Sequence, residues 1–147
     1  MKINVTIKEV DHENLVDLFS TGLYGNGKFY SEYDRDWFNE HCKKDDGDCY
    51  EDSMAKVLLA GGKIVISDRY AEGADDFYGT LPHKWDSEHW CMDYDVTLQD
   101  IVNGLQKAAD DGESERVHNL ANDAGQLDMW DADVLLQYIV FGECIYG

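Results

Sequence analysis

A chain of 147 residues in which 44% are hydrophobic can bury a core without disulfides or a metal to hold it together. Its 31 acidic side chains against 12 basic ones leave a formal charge of -19, and most of those carboxylates belong on the surface, because buried ones need partners this chain lacks in number. Such a field argues against binding to phosphate backbones or anionic membranes and favours a basic protein partner, with solubility as the plainer use of the same charge.

Residues 2–8 alternate, with Ile3, Val5 and Ile7 on one face and Asn4, Thr6 and Lys8 on the other, which predicts a half-buried strand. No signal-peptide core follows Met1 and no run approaches the length of a membrane helix, so the expected compartment is the cytoplasm. Asp11 is placed to cap a helix whose apolar stripe is Leu15, Val16, Leu18, Phe19 and Leu23, before Gly25-Asn26-Gly27 breaks the pattern. Residues 29–33 are aromatic without a clear period. Residues 34–42 predict a short helix in which Trp37 and Phe38 lie one turn before His41 and Cys42.

The stretch from residue 40 to residue 68 holds the densest set of signals. Cys42 and Cys49 flank KKDDGD, a polar loop in which Gly47 allows a tight bend that could bring the two thiols face to face. A helix follows with Met54, Ala55, Val57 and Leu58 on its inner side, Glu51 and Asp52 in its first turn, and Gly61-Gly62 as its stop. KIVIS then predicts a β-branched strand.

Residues 69–88 lack a sustained period and carry the only proline, so they are expected to form a long surface excursion. In residues 89–96, Trp90, Met92, Tyr94 and Val96 share one face of a strand while His89, Cys91, Asp93 and Asp95 share the other. Thr97 and Asp100 form a capping box for a helix buried through Leu98, Ile101, Val102, Leu105 and Ala109. Val117, Leu120, Ala121 and Ala124 give a weaker helix that Gly125 should stop. Leu135, Leu136, Ile139 and Val140 place the last helix against the sheet, with Cys144 expected in the core. The pattern as a whole predicts one α+β domain over residues 1–147: three mostly antiparallel strands covered on one face by helices.

Four cysteines in a reducing compartment point to packing or metal binding before disulfides. Cys42, Cys49, His89 and Cys91 make a tetrahedral three-cysteine, one-histidine set that suits structural zinc, with His41 in reserve and ordinary buried thiols as the plainer explanation. DDGD does not have the ligand spacing of a calcium loop. The helix HExxH, the GxSxG elbow, the phosphate loop and the zinc-deaminase signature are all missing from the chain, and adjacent carboxylates discriminate nothing where acids are everywhere. A non-catalytic role follows, with a metal-dependent hydrolase as the minority alternative. Asp45, Asp46, Asp48, Glu72, Asp75 and Asp76 sit on expected loops as the partner-binding acids, and Tyr24, Phe29, Tyr30, Tyr33, Phe77, Tyr78 and Trp85 are either a contact surface rimmed by charge or a cap on the core.

The C-terminal ADVLLQYIVFGECIYG, with VTLQDIVNGLQKA and CYEDSMAKVLLAGGKIVISD before it, covers about half of the chain and resembles small acidic proteins carried by phages and mobile elements of Gram-positive bacteria. Among these the chain is similar to the type II-A anti-CRISPR inhibitors, in a zinc-containing group. The resemblance implies an inhibitor of the type II RNA-guided nuclease that presents carboxylates where phosphates would sit in a basic channel and blocks loading of target DNA. The alternatives are an antirestriction DNA mimic aimed at another basic enzyme and a structural metal-binding interaction protein.

Overall fold

The computed structural model describes residues 10–23, 27–122 and 127–147. The strand expected at residues 2–8 lies outside them, as do Tyr24, Gly25, Asn26, Ala124 and Gly125.

The first described helix, α1 (His12–Gly22), starts where Asp11 accepts the Asn14 N–H at 2.8 Å while the Asn14 side chain accepts the Asp11 N–H at 3.1 Å, so two donors that a helix start leaves open are satisfied reciprocally. Leu15, Leu18 and Phe19 are fully buried on its inner stripe. The aromatic run that follows forms β1 (Phe29–Tyr33), its alternation set by Phe29 in the core and Tyr30 in solvent. Asp34 then caps α2 (Arg35–His41) by accepting from the N–H groups of Asp36 and Trp37, and Cys42 closes that helix.

The acids expected in the next first turn open α3 (Tyr50–Leu59), where Asp52 accepts from the Cys49 N–H at 2.9 Å and the Cys49 thiol at 3.0 Å. His12 bonds the same carboxylate at 2.7 Å from the start of α1. That bond, ahead of the Cys49 contacts, holds the Asp52 pKa down at about 2. The chain continues through β2 (Lys63–Asp68), β3 (His83–Asp86), β4 (Cys91–Thr97) and α4 (Leu98–Ala108), the last capped reciprocally by Thr97 and Asp100 as its sequence predicts. A π-turn over Ala109–Glu113, with Gly112 at positive φ, leads into α5 (Ser114–Asn122), and Asp128 caps α6 (Met129–Phe141).

Among the described residues the strands form one antiparallel sheet in the order β1-β2-β4-β3, four strands where the sequence pattern predicts two besides the one at residues 2–8. The extra members are β1 and β3. The latter is a four-residue segment inside the expected surface excursion, too short to display a period and stabilised by its ladder with β4. One face of the sheet carries Ile64, Ile66, Met92, Tyr94 and Val96, all fully buried. The other carries Lys63, Val65, Asp93 and Asp95, with Lys63 paired to Asp95 at 2.9 Å.

The C-terminal segment is fastened by Gln137. Its side-chain oxygen accepts the N–H groups of Ile145 and Tyr146 at 2.8 Å, and its amide nitrogen donates to the Tyr146 carbonyl and to Asp133, each at 3.0 Å. Cys144, expected in the core, is exposed because the tail turns its neighbours inward instead. Among the described residues no helix is long and apolar enough to cross a membrane.

Candidate functional site

Two places collect chemistry. The first is the β3–β4 hairpin, where Asp86 pairs in register with Cys91 and the two-residue step of a strand puts Asp93 on the same face. One donor atom from each of Asp86, Cys91 and Asp93 lies within 4.8 Å of the others, a candidate metal-binding triad of one thiol and two carboxylates. The Cys91 thiol donates to Asp93 at 3.4 Å and the Ser67 hydroxyl donates to the same oxygen at 2.6 Å. Asp86 accepts the N–H groups of Glu88 and His89 and bonds the His89 ring at 2.8 Å. The return is tight: Trp90, expected on the apolar strand face, instead sits in the turn at φ 53, largely exposed and edge-on to Trp85.

Burial, reinforced by Asp93, pushes the Cys91 thiol up to about 11. The His89 bond pulls Asp86 below the usual carboxylate range, and Asp86 in turn raises His89. One sulfur and two carboxylate oxygen donors at one place suit zinc better than calcium or magnesium.

Of the four ligands expected from sequence, only Cys91 belongs to this triad, and His89 stands beside it through Asp86. Cys42 and Cys49 do not join them: they end α2 and begin α3, and no other group of three or more candidate ligands converges among the described residues. All four cysteines are free thiols. His41, the reserve ligand, stacks on Trp37 with ring centroids 4.0 Å apart and its Nδ1 lies 2.9 Å from the Trp37 carbonyl. Asp86 and Asp93 are the members sequence reasoning missed; the C-x-D step on a strand signals Asp93, while Asp86 comes from β3 through its register with Cys91, which no local pattern shows.

The second place is the acidic loop after β2. The six acids expected to meet a partner divide into two groups. Lys56 reaches from α3 to Asp45 at 2.9 Å and to Asp48 at 2.5 Å, so these two are partly neutralised within the chain, while Asp46 stays exposed beside them. Glu72, Asp75 and Asp76 make no ion pair among the described residues. They rim an open cleft of about 560 Å³ whose walls are Tyr70, Tyr78 and Tyr146. A larger groove of about 840 Å³ beside β1 and α2 includes Arg35 and Lys63, which makes it the poorer match to a basic partner.

Of the aromatics singled out in the sequence, Phe29 is core, Tyr33 and Trp85 pack against the core, and Tyr30 is exposed beneath Arg69. No protein-family model, no curated protein and no solved structure matches this chain.

Proposed function

We propose that this protein is a non-catalytic inhibitor acting in the bacterial cytoplasm, which binds a basic nucleic-acid-binding protein through its acidic surface and keeps DNA off it. The resemblance of the three segments at residues 49–68, 96–108 and 132–147 to type II-A anti-CRISPR inhibitors directs that reading to the type II RNA-guided nuclease. The observation that supports it best is the loop carrying Glu72, Asp75 and Asp76, which makes no ion pair among the described residues in a chain of net charge -19. A set of fixed carboxylates complements the cationic channel that holds the guide–target heteroduplex.

The test is a gel-shift titration of guide-loaded nuclease with target DNA, adding the protein before or after the DNA. Protection only when it is added first is the expected outcome. Reversing both charges in Asp75→Lys/Asp76→Lys should raise the half-inhibitory concentration about tenfold at low salt, with the gap closing as salt screens the surface. Equal potency of the variant across salt removes this loop from the interface. No protection in either order removes the nuclease and turns the search to other basic DNA-binding enzymes, the antirestriction alternative.

A second reading is carried by the convergence of Asp86, Cys91 and Asp93: a structural zinc ion that pins the β3–β4 hairpin. Titration with cobalt as a spectroscopic stand-in should give one thiolate-to-metal charge-transfer band, and zinc should raise the melting temperature. Cys91→Ser should abolish the band while Cys42→Ser/Cys49→Ser leaves it intact. Loss of the band in the latter variant would restore the four-ligand set expected from sequence.

A further inference from the structure

We infer that the cleft walled by Tyr70, Tyr78 and Tyr146 is a receptor for a single arginine side chain of the basic partner. This deepens the proposed function and rests on it for the partner's identity, though not for the chemistry of the cleft.

The walls are built from the core outward. Asp68, the last residue of β2, lies on the buried face of the sheet and is fully enclosed. One of its oxygens accepts the Tyr70 N–H at 2.9 Å and the other accepts the Tyr146 hydroxyl at 2.7 Å, so a single buried carboxylate fixes two of the three walls. The Tyr70 and Tyr146 rings meet edge to face with centroids 5.3 Å apart. Tyr78 stands perpendicular to Tyr146 at 6.3 Å, packs edge-on to Phe141 at 5.5 Å, and is tied through its N–H to the Tyr94 hydroxyl at 3.1 Å. The Tyr146 ring is thus held by its hydroxyl, and the backbones of Tyr70 and Tyr78 by their N–H groups with ring contacts beside them. Part of the ordering cost of binding is therefore met before any ligand arrives.

The rim supplies charge. Asp76 is oriented by the Glu72 N–H, which it accepts at 2.8 Å, and Asp75 beside it is exposed. Arg69, next to Tyr70 in the chain, is committed elsewhere: it lies over the Tyr30 ring at 4.1 Å and donates to the Gly27 carbonyl. Burial first, and the charge of Asp76 after it, act to raise Asp68, Tyr78 and Tyr146.

The ligand class follows from what the cleft offers and withholds. Carboxylates at the rim repel phosphate and other anions. A chelated metal ion is disfavoured because these acids do not bring three donor atoms together as Asp86, Cys91 and Asp93 do. What remains is an organic cation with a face to lay on tyrosine and N–H groups to give to carboxylates. The planar guanidinium of arginine offers both, whereas the lysine ammonium is a strongly hydrated point charge without a flat face.

The experiment is an NMR titration of the isotope-labelled full chain with N-acetyl-arginine amide, with the lysine amide and the neutral isostere N-acetyl-citrulline amide as comparisons. The arginine probe should shift amides of residues 70–78 and 143–147, and bind at least about tenfold more tightly than citrulline and measurably more tightly than lysine. Asp75→Asn/Asp76→Asn and, separately, the exposed Tyr70→Ala should each weaken it about tenfold, while Asp45→Asn/Asp46→Asn, an equal change of charge, should not. Equal binding of citrulline or lysine, or shifts spread over all acidic surfaces, overturns the assignment. The same variants in the gel-shift assay separate the two ideas. An arginine probe that binds here while the nuclease is unprotected keeps the cleft and rejects that partner; protection undiminished in Tyr70→Ala and Asp75→Asn/Asp76→Asn keeps the partner and rejects the cleft.

Discussion

Replacing Lys28 by alanine is expected to lower the free energy of unfolding by about 3–5 kcal/mol, because it removes the cation from a buried ion pair. The Lys28 ammonium lies 2.9 Å from Asp133, and the two side chains are only 8% and 5% exposed. The Asp133 oxygen that accepts from Lys28 also accepts from the Gln137 amide, and the Gln137 side chain holds the backbone of Ile145 and Tyr146. Removing the cation therefore takes its charge away from the carboxylate whose bond to Gln137 helps anchor the tail. Urea denaturation followed by tryptophan fluorescence measures the loss as a lower midpoint at unchanged slope. Replacing both partners with apolar residues of similar size, Lys28→Met/Asp133→Leu, should recover much of the loss, since neither charge is then left unpaired. A loss below about 1 kcal/mol in the single variant would place the pair among solvated surface bridges instead.

Such long-range ties separate what the sequence makes legible from what it does not. Helices announce themselves locally: Asp11 before the stripe of α1 and Thr97 with Asp100 before α4 are caps written within four residues, and both form as read. β2 shows because it is a β-branched run, and β4 because its apolar positions alternate over enough residues to establish a face. β1 puts tyrosine on both its faces, and β3 has four residues of which two are exposed, so partner strands decide these segments where local pattern cannot.

The site residues divide along the same line. Cys91 was singled out as a sulfur on the polar face of a strand, which is a local property. That Cys42 and Cys49 do not join it depends on where α2 and α3 lie against the sheet, and no spacing within their loop encodes that. Asp86 and Asp93 were hidden among 31 acids. The acidic loops look equivalent in sequence, but Lys56 reaches back from α3 to Asp45 and Asp48, while Glu72, Asp75 and Asp76 make no ion pair among the described residues. The third wall of their cleft comes from Tyr146, whose bond to Asp68 spans 78 positions.

Gly104→Ala is the other substitution with a large expected effect, and its sign is informative. In an exposed helix interior, glycine to alanine stabilises by about 1 kcal/mol through backbone entropy. Here α4 crosses α6 at Gly104 so closely that an added Cβ would stand 2.4 Å from the Ile139 Cα and 2.8 Å from its nitrogen. Backbone atoms cannot swing aside as a flexible side chain would, so the helices must move apart. Overpacking of this kind typically costs about 1–3 kcal/mol, sometimes more, and a backbone clash belongs at the upper end. The expected result is a net loss of about 2 kcal/mol in the same denaturation experiment, with strain outweighing the propensity gain. A net gain near 1 kcal/mol would mean that α4 and α6 do not meet as described. Because α6 carries Gln137, which holds the Tyr146 backbone, and Phe141, which backs Tyr78, the displacement should also reach the tyrosine walls. The variant that folds should therefore bind the arginine probe less tightly although Gly104 touches no part of the cleft, a coupling that surface charge alone would not produce.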